Sequence, residues 1–540
     1  SRPPPKMPPR KRSDGARGAA DPEAPPAAAD DAAPLNPRLR APLLFLLVFA
    51  FAFAGLHLTH DALLGLPYYW DEAGYFIPAA RDIYADGALI PHSTLSNAHP
   101  PLVMAYLAAA WKLFGFDIEV ARTAMLAVAA LALAGVFALS ARVANLRVAA
   151  ATAMLTAAYP VFFAQSSLAH LDMAVAALTM WALYFYIPPA HADAPPPRGR
   201  TPNLRRACCV LLLALAALAK ETAALVPVTL FGWELLCALA GGRERPAALV
   251  CLERRPAWRS LTLLAACLPL ALWFAYHRAR TGYTLGNPEY FRYNVESTLN
   301  LARVLDTAWR RLGHVTLHMN LWALTLAGLA AMFLRPRRDG AAERPRIAVP
   351  VQLLFAALIL AHVVALSVVG GAVLARYMLP VLPLVVLVWV STLWRRVAAW
   401  PLAAALVFAA FAYRVEVNPA HSFPWEENLA YRDFVLLHRD AARFLEGGRA
   451  GARVLTSWPA TDELRNPYYG YTSRSFAVVP VENFLRPELE RAAARKADYD
   501  VALLYSTHGG PDLEEAVRVL GGRVVFHEER DGQWVAVVEK

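Results

Sequence analysis

The sequence predicts a polytopic α-helical membrane protein of about eleven transmembrane helices, followed by a small extracytoplasmic α/β domain. Three observations carry this. Hydrophobic residues fill 57% of the 540 positions and charged residues only 18%, against about 25% charged in soluble domains. The apolar residues gather into stretches near the roughly 17–25 residues that a helix needs to cross a bilayer. Beyond residue 416 the apolar runs shorten to strand length. This composition excludes a soluble globular enzyme, a disordered chain and a disulfide scaffold. The net charge of +10 fits basic cytoplasmic loops better than a nucleic-acid surface.

Residues 1–37 are rich in Pro, Ala and Arg and have no apolar core, which predicts a disordered cytoplasmic tail rather than a signal peptide. Nine stretches free of Lys, Arg, Asp and Glu follow: 41–58, 123–141, 148–164, 173–190, 260–276, 315–334, 347–369, 377–394 and 397–413. Two more, 207–219 and 222–240, flank Lys220-Glu221, and the second holds Glu234. A twelfth candidate, 100–116, carries Lys112 and begins with two prolines. With eleven spans and the N-terminus inside, the inner loops hold 18 Lys/Arg in 55 residues and the outer segments 11 in 119. That satisfies the positive-inside rule, and a twelfth span would invert it. Segment 100–116 is therefore expected to lie along the outer surface, with Trp111 and Lys112 at headgroup depth. The predicted organisation is a membrane domain over 38–415, with a long outer loop at 59–122, and a soluble α/β domain over 416–540.

In that last domain strands are expected at 453–456, 476–480, 500–505, 523–527 and 534–538, and helices at 431–446, 486–496 and 512–520. Asp531-Gly532 is a hairpin-turn signal. With no Gly-rich phosphate loop, the domain reads as an accessory or acceptor-positioning element. The five cysteines, Cys208, Cys209, Cys237, Cys251 and Cys267, show no zinc-finger spacing and are given no disulfide or metal role.

Candidate chemistry gathers on the outer face. Tyr68-Tyr69-Trp70-Asp71-Glu72-Ala73-Gly74-Tyr75 sets an acidic pair among aromatics just beyond a span. A carboxylate held there can take a proton from a hydroxyl, and the rings can stack on a sugar. Asp172 opens the fourth span on the same face, where ionisable groups are costly and tend to be functional. His99, Lys220 and Arg376 reach that face too, and the two permanent cations suit a lipid phosphate. Lys220 can equally pair with its neighbour Glu221. His314 and His318, four apart, lack a clear third ligand and read as structural. The aromatic, Arg-containing stretch 281–294 in loop 277–314 could cover a lipid-linked substrate.

These motifs, in this order, resemble the GT-C superfamily of integral-membrane glycosyltransferases. They are most similar to the branch of protein O-mannosyltransferases and lipid A aminoarabinose transferases. The matching pieces are Asp71-Glu72, His99-Pro100-Pro101-Leu102 running to Phe114-Gly115, Arg122, Asp172, Leu218-Ala219-Lys220-Glu221, and Arg376-Tyr377 with Pro380. Two departures leave donor and acceptor open: Ala98-His99-Pro100 stands where the lipid A enzymes carry Glu-Lys-Pro, and Glu221 replaces the usual glycine.

The resemblance implies inverting transfer of a sugar from a polyprenyl-phosphate donor to a lipid, glycan or protein acceptor, outside a bacterial inner membrane and facing the periplasm. Asp71 is then the general base. Asp172 orients the acceptor or a cation, and Glu72 tunes Asp71 or binds the sugar. Lys220, Arg376 and His99 hold the donor phosphate as its charge grows. Tyr68, Trp70, Tyr75 and Tyr377 line the substrate cavity. No cofactor is required, though the acidic outer loop could accept a divalent metal. Membrane lipids are the surroundings and no nucleic-acid partner is expected. The rival readings are a secondary transporter, a non-catalytic membrane scaffold and, among enzymes, a surface-polysaccharide polymerase or ligase.

Overall fold

The computed structural model describes residues 37–188, 200–239, 257–419, 424–507 and 509–540. The chain divides into two units, Ser1–Leu44 and Phe45–Lys540, and everything described below from Phe45 onward belongs to the second. The expected tail over 1–37 lies outside the described residues, save Pro37 at the start of the first helix. Cys251 and much of the basic loops 191–206 and 241–259 also lie outside them.

The chain is a multi-pass helical membrane protein. Six described segments are long and apolar enough to cross a membrane: Ala41–Leu64, Ile118–Val143, Glu221–Leu239, Trp258–Thr281, Leu301–Met332 and Val349–Val368. The other five expected spans are shorter as apolar helices, for local reasons. Pro160 divides 148–164 into Leu146–Ala158 and Pro160–Gln165. The stretch 377–394 begins as a tight turn, Ala375–Met378, and becomes helical only at Leu382. Leu171–Tyr186 and Trp400–Glu416 have 16 and 17 residues. Arg200–Ala219 has 20, but its first turns are polar. Leu102–Phe114 has 13 residues and rises about 20 Å, less than the roughly 30 Å hydrocarbon core. It is too short to cross upright.

Small residues let the helices approach closely. Ile118–Val143 buries a run of alanines together with Gly135, where a Cβ would meet Met180 and Trp181 at 3.0 Å. Gly328, on Leu321–Met332, has the six-membered ring of Trp389 seated over it, and a Cβ there would lie 2.2 Å from that ring.

The C-terminal part is an α/β sheet of five strands: β1 Arg453–Thr456, β2 Ala477–Pro480, β3 Val501–Tyr505, β4 Arg523–Arg530 and β5 Gln533–Glu539. The order is β2-β1-β3-β5-β4. The first three strands run parallel, and β5 pairs antiparallel with both β3 and β4. The last hairpin turns through Asp531 (φ +48°) and Gly532 (φ +79°), the two positive values that a type I′ turn requires. Every expected strand and helix in this part has a counterpart within a few residues. The amphipathic helix Ala430–Gly448 packs on β4 and β5.

This part grips the loop that follows the first helix. The Tyr68 amide donates to the Tyr469 carbonyl at 3.0 Å. Tyr469 and Tyr471 donate their hydroxyls to the carbonyls of Ala73 (2.6 Å) and Tyr68 (3.1 Å).

Gly328→Ala should unseat Trp389 and destabilise the fold by about 1–3 kcal/mol, as overpacking does. Gly313→Ala, on a helix with nothing within 4 Å of the new Cβ, should be neutral or slightly stabilising. Thermal midpoints of the two variants in detergent test the contrast.

Candidate active site

Interruptions of the helices bring five charged side chains to one place. Asp71 stands just ahead of the wide turn Glu72–Phe76 beyond the first helix. Asp172 is the second residue of Leu171–Tyr186, where the helix dipole favours an anion. Lys220 is a single extended residue (φ −157°, ψ 137°) between two helical stretches. Arg376 stands in the turn Ala375–Met378, and Pro380 and Pro383 delay the helix behind it. Glu426 lies in the turn Trp425–Glu427, beyond the last membrane helix.

Arg376 is the hub. It is 3% exposed. One terminal nitrogen binds the Asp71 carboxylate. The other lies 2.9 Å from Glu426 Oε1 and 2.8 and 3.1 Å from the two ring nitrogens of His170. Its Nε is 3.7 Å from Asp172 Oδ2. Asp172 in turn accepts from Lys220 Nζ at 2.7 Å, and that ammonium stands 4.0 Å from the centre of the Tyr377 ring. Burial, helped by Arg376 and Lys220, holds His170 neutral, well below its ordinary range. Of the three carboxylates, Asp71 alone is well exposed, at 38%, against 5% for the side chains of Asp172 and Glu426.

A second group adjoins. His99 Nδ1 is 3.0 Å from Glu221 Oε2, and its Nε2 is 3.3 Å from the Tyr290 hydroxyl. Tyr75 meets His99 edge-on at 5.6 Å. Tyr290, from the aromatic stretch in 277–314, thus reaches the site. Trp70 sits edge-on to Trp425 and Trp458, at 6.4 and 5.0 Å.

Asp71, Asp172, Lys220, Arg376 and Tyr377 therefore form one constellation, with His99, Tyr75 and Trp70 around it. Two expected positions sit elsewhere. Glu72 is fully buried and turned into the protein. Its two oxygens bind Arg122 at 2.8 and 3.0 Å and accept the amides of Ala169 (2.6 Å) and Tyr69 (2.8 Å). With its lone pairs so used, it is a structural clamp, neither a partner of Asp71 nor open to a sugar. Tyr68 is 1% exposed with its ring near the Arg122 guanidinium, so it packs rather than lines. Lys220 pairs with Asp172 and not with Glu221, whose partner is His99.

Sequence reasoning passed over His170, Arg311 and the Glu426-Glu427 pair. Arg311 donates to the carbonyls of Leu374 (2.8 Å) and Ala372 (3.2 Å), bracing the segment before Arg376. Glu427 accepts the Ala375 amide at 2.8 Å and meets His318 Nε2 at 2.6 Å. Burial alone would raise its carboxyl, but His318 and that amide hold it below the ordinary value. One signal was present: Trp425-Glu426-Glu427 repeats the aromatic-acid-acid pattern of Trp70-Asp71-Glu72.

His318 is thus tied to Glu427, and its ring lies 5.1 Å from that of His314. Among the described residues no group of three His, Cys, Asp or Glu side chains is placed to hold a metal. The three carboxylates converge instead on a guanidinium, which suits a divalent ion poorly.

Comparison with known proteins bears on the fold. Residues 98–273 match the family model described as dolichyl-phosphate-mannose-protein mannosyltransferase. The ArnT structure from Cupriavidus metallidurans bound to undecaprenyl phosphate superposes with a TM-score of 0.53 at 14% identity, over 92% of this chain and 97% of that one. The chain shares the fold of that ArnT structure. The apo form of the same ArnT gives 0.49 at 16% identity, over 93% and 98% of the two chains. The archaeal oligosaccharyltransferase AglB from Archaeoglobus fulgidus, in complex with an inhibitory peptide and a dolichol-phosphate, gives 0.44 at 11%, over 92% and 74%. No curated protein matches the sequence. Within this fold the five charges stand where helices end or break.

Removing one partner of a buried ion pair strands the other and typically costs 3–5 kcal/mol. Arg122→Ala should therefore lower thermal stability by about that amount, and the double change Arg122→Met with Glu72→Leu should restore part of it. Equal loss in both variants would mean that the remaining contacts dominate, those of Arg122 with the carbonyls of Leu66, Pro67 and Ser167 and those of Glu72 with the amides of Tyr69 and Ala169.

Proposed function

We propose that this protein transfers a sugar from a polyprenyl-phosphate donor to an acceptor hydroxyl or phosphate at the outer face of a bacterial inner membrane, with inversion at the sugar. One observation carries the reading: a solvent-reachable carboxylate, Asp71, beside two buried cations, Arg376 and Lys220. The undecaprenyl phosphate of the ArnT complex fits such a cation pair.

Asp71 is the base. It takes the proton from the acceptor hydroxyl as that oxygen attacks the anomeric carbon, and the carbon–phosphate oxygen bond breaks on the opposite side. Phosphate leaves without a strong acid, so the barrier depends on stabilising the growing charge. Arg376 offers a planar fork and Lys220 a point charge. Asp172 keeps Lys220 directed at the site. His99 and Tyr290 flank the donor sugar. The acceptor class, whether lipid, glycan or protein, is tested by offering each.

Asp71→Asn should lower turnover by about 10²–10⁴-fold, the usual contribution of a general base, while the thermal midpoint stays near wild type because the residue is part-exposed. Lys220→Ala should leave a charge-assisted contact unmade and weaken donor binding by about 10–100-fold. Mass spectrometry of acceptors incubated with polyprenyl-phosphate sugars reads the first, and donor titration the second. Near-normal transfer by Asp71→Asn would remove Asp71 from the role.

A further inference from the structure

Arg376 has more anions than it needs. Its two terminal nitrogens bind Asp71 and Glu426, and Asp172 stands within 3.7 Å of Nε. Counting formal charges, Arg376 and Lys220 face Asp71, Asp172 and Glu426, and His170 adds nothing because it is neutral. The cluster already carries one excess negative charge. A phosphodiester brings another into a place nearly closed to water. Buried charge without a partner is costly, so an anion arriving at Arg376 must displace an anion or bring a proton.

The three carboxylates differ in how easily they give way. Asp172 keeps Lys220 at 2.7 Å, and Asp71 is 38% exposed and so solvated. Glu426 is 4% exposed, and its carboxylate is described with one partner, Arg376 at 2.9 Å. Its backbone carbonyl is tied down separately by Gln165 Nε2 at 2.9 Å, so the turn stays in place if the side chain lets go.

We propose that Glu426 is the resident counter-anion of Arg376: it holds the guanidinium while the site is empty and yields that place to the donor's phosphate by taking up a proton. The ligand named rests on the donor reading above. Glu426 touches no substrate in this scheme and is a positioning residue.

The surroundings support a change of protonation there. Asp71 and Tyr69 face Glu426 from the outer loop, and Asp172 and His170 from the start of Leu171–Tyr186. Arg376 faces it from its own turn, and Glu427, bound to His318, is its chain neighbour. Burial pushes the Glu426 carboxyl up to about 7, Arg376 opposes this, and Asp71, Glu427 and Asp172 add to it. When a phosphate engages Arg376, that opposition weakens and the carboxyl rises further. Below about pH 7 Glu426 is then protonated with or without ligand, and affinity is highest and flat. Above it, binding must draw a proton from water, and affinity falls by up to tenfold per pH unit until the ligand-bound value is passed.

The test is binding, which needs no turnover. The probe is a short polyprenyl methyl phosphate, a diester that keeps one charge over about pH 6–9, titrated into the full-length protein in nanodiscs. Wild type should bind flat below about pH 7 and lose affinity above it. Calorimetry in buffers of different ionisation heat should show about one proton taken up at pH 8. Glu426→Gln, which keeps the shape, should bind the probe with little pH dependence and tighter than wild type at pH 8–9. Glu426→Asp should keep the dependence, and Asp71→Asn should keep it with its onset moved to lower pH because Asp71 helps raise the Glu426 carboxyl, which separates the two acids. A Glu426→Gln protein with the wild-type slope overturns the proposal. So does wild-type binding that takes up no proton, a measurement that stands even if the variant does not fold. Absence of binding by wild type at every pH overturns the donor reading itself, a different outcome.

Discussion

A guanidinium stripped of water needs acceptors for its N–H groups and an anion for its charge, and those groups must be carried by chain that cannot move away. Arg376 meets that demand with carboxylates from residues 71, 172 and 426, drawn from three remote parts of the sequence. The loop after the first helix, the start of Leu171–Tyr186 and the segment beyond the last membrane helix meet at a single side chain. Its own backbone is fixed from two further directions, by Glu427 on the Ala375 amide and by Arg311 on the Leu374 carbonyl. Remove the positive charge and three negative ones are left facing each other.

Broken helices are the means by which an apolar scaffold tolerates such a site. A residue inside a continuous membrane helix has its backbone satisfied but cannot leave the helix face. Lys220 is extended between two helices, and Arg376 lies in a short turn before a proline-delayed helix. Each gains reach toward the cluster, and around Arg376 the freed backbone groups are met by side chains, Glu427 on the Ala375 amide and Arg311 on the Leu374 carbonyl. The interruptions that shorten the apparent spans are thus the same ones that deliver the chemistry.

This explains what could be read from the sequence and what could not. Apolar runs located the helices well, but a run does not reveal where proline restarts a helix, and so 148–164 and 377–394 looked longer than the helices they contain. The strands from β1 to β5 were legible because short apolar runs with an Asp-Gly turn admit few alternatives. Asp71, Asp172, Lys220 and Arg376 stood out because charge is rare among apolar residues. Their pairing did not: adjacency suggested Lys220 with Glu221, whereas the break in the helix sends the two side chains to different partners. Glu72 looked like a twin of Asp71, yet consecutive residues in a turn point apart, one to solvent and one to Arg122.

Glu426 was hidden for another reason. It lies in a polar stretch after the last apolar run, where an acidic pair reads as solvated surface. Only the fold shows that Trp425, Glu426, Glu427 and Asn428 are all buried. The parallel with Trp70-Asp71-Glu72 then acquires physical content. In each triplet the tryptophan joins the same aromatic group around Phe434. The first acid reaches Arg376 from opposite ends of its guanidinium, and the second is buried against a cation or histidine and a backbone amide. One arm comes from the membrane part of the chain and the other from the segment leading into the α/β sheet, whose Tyr469 and Tyr471 also pin the loop bearing Asp71. The C-terminal part is therefore built into the site's geometry from two sides, through Glu426 on the hub and through Tyr469 and Tyr471 on the loop that carries Asp71.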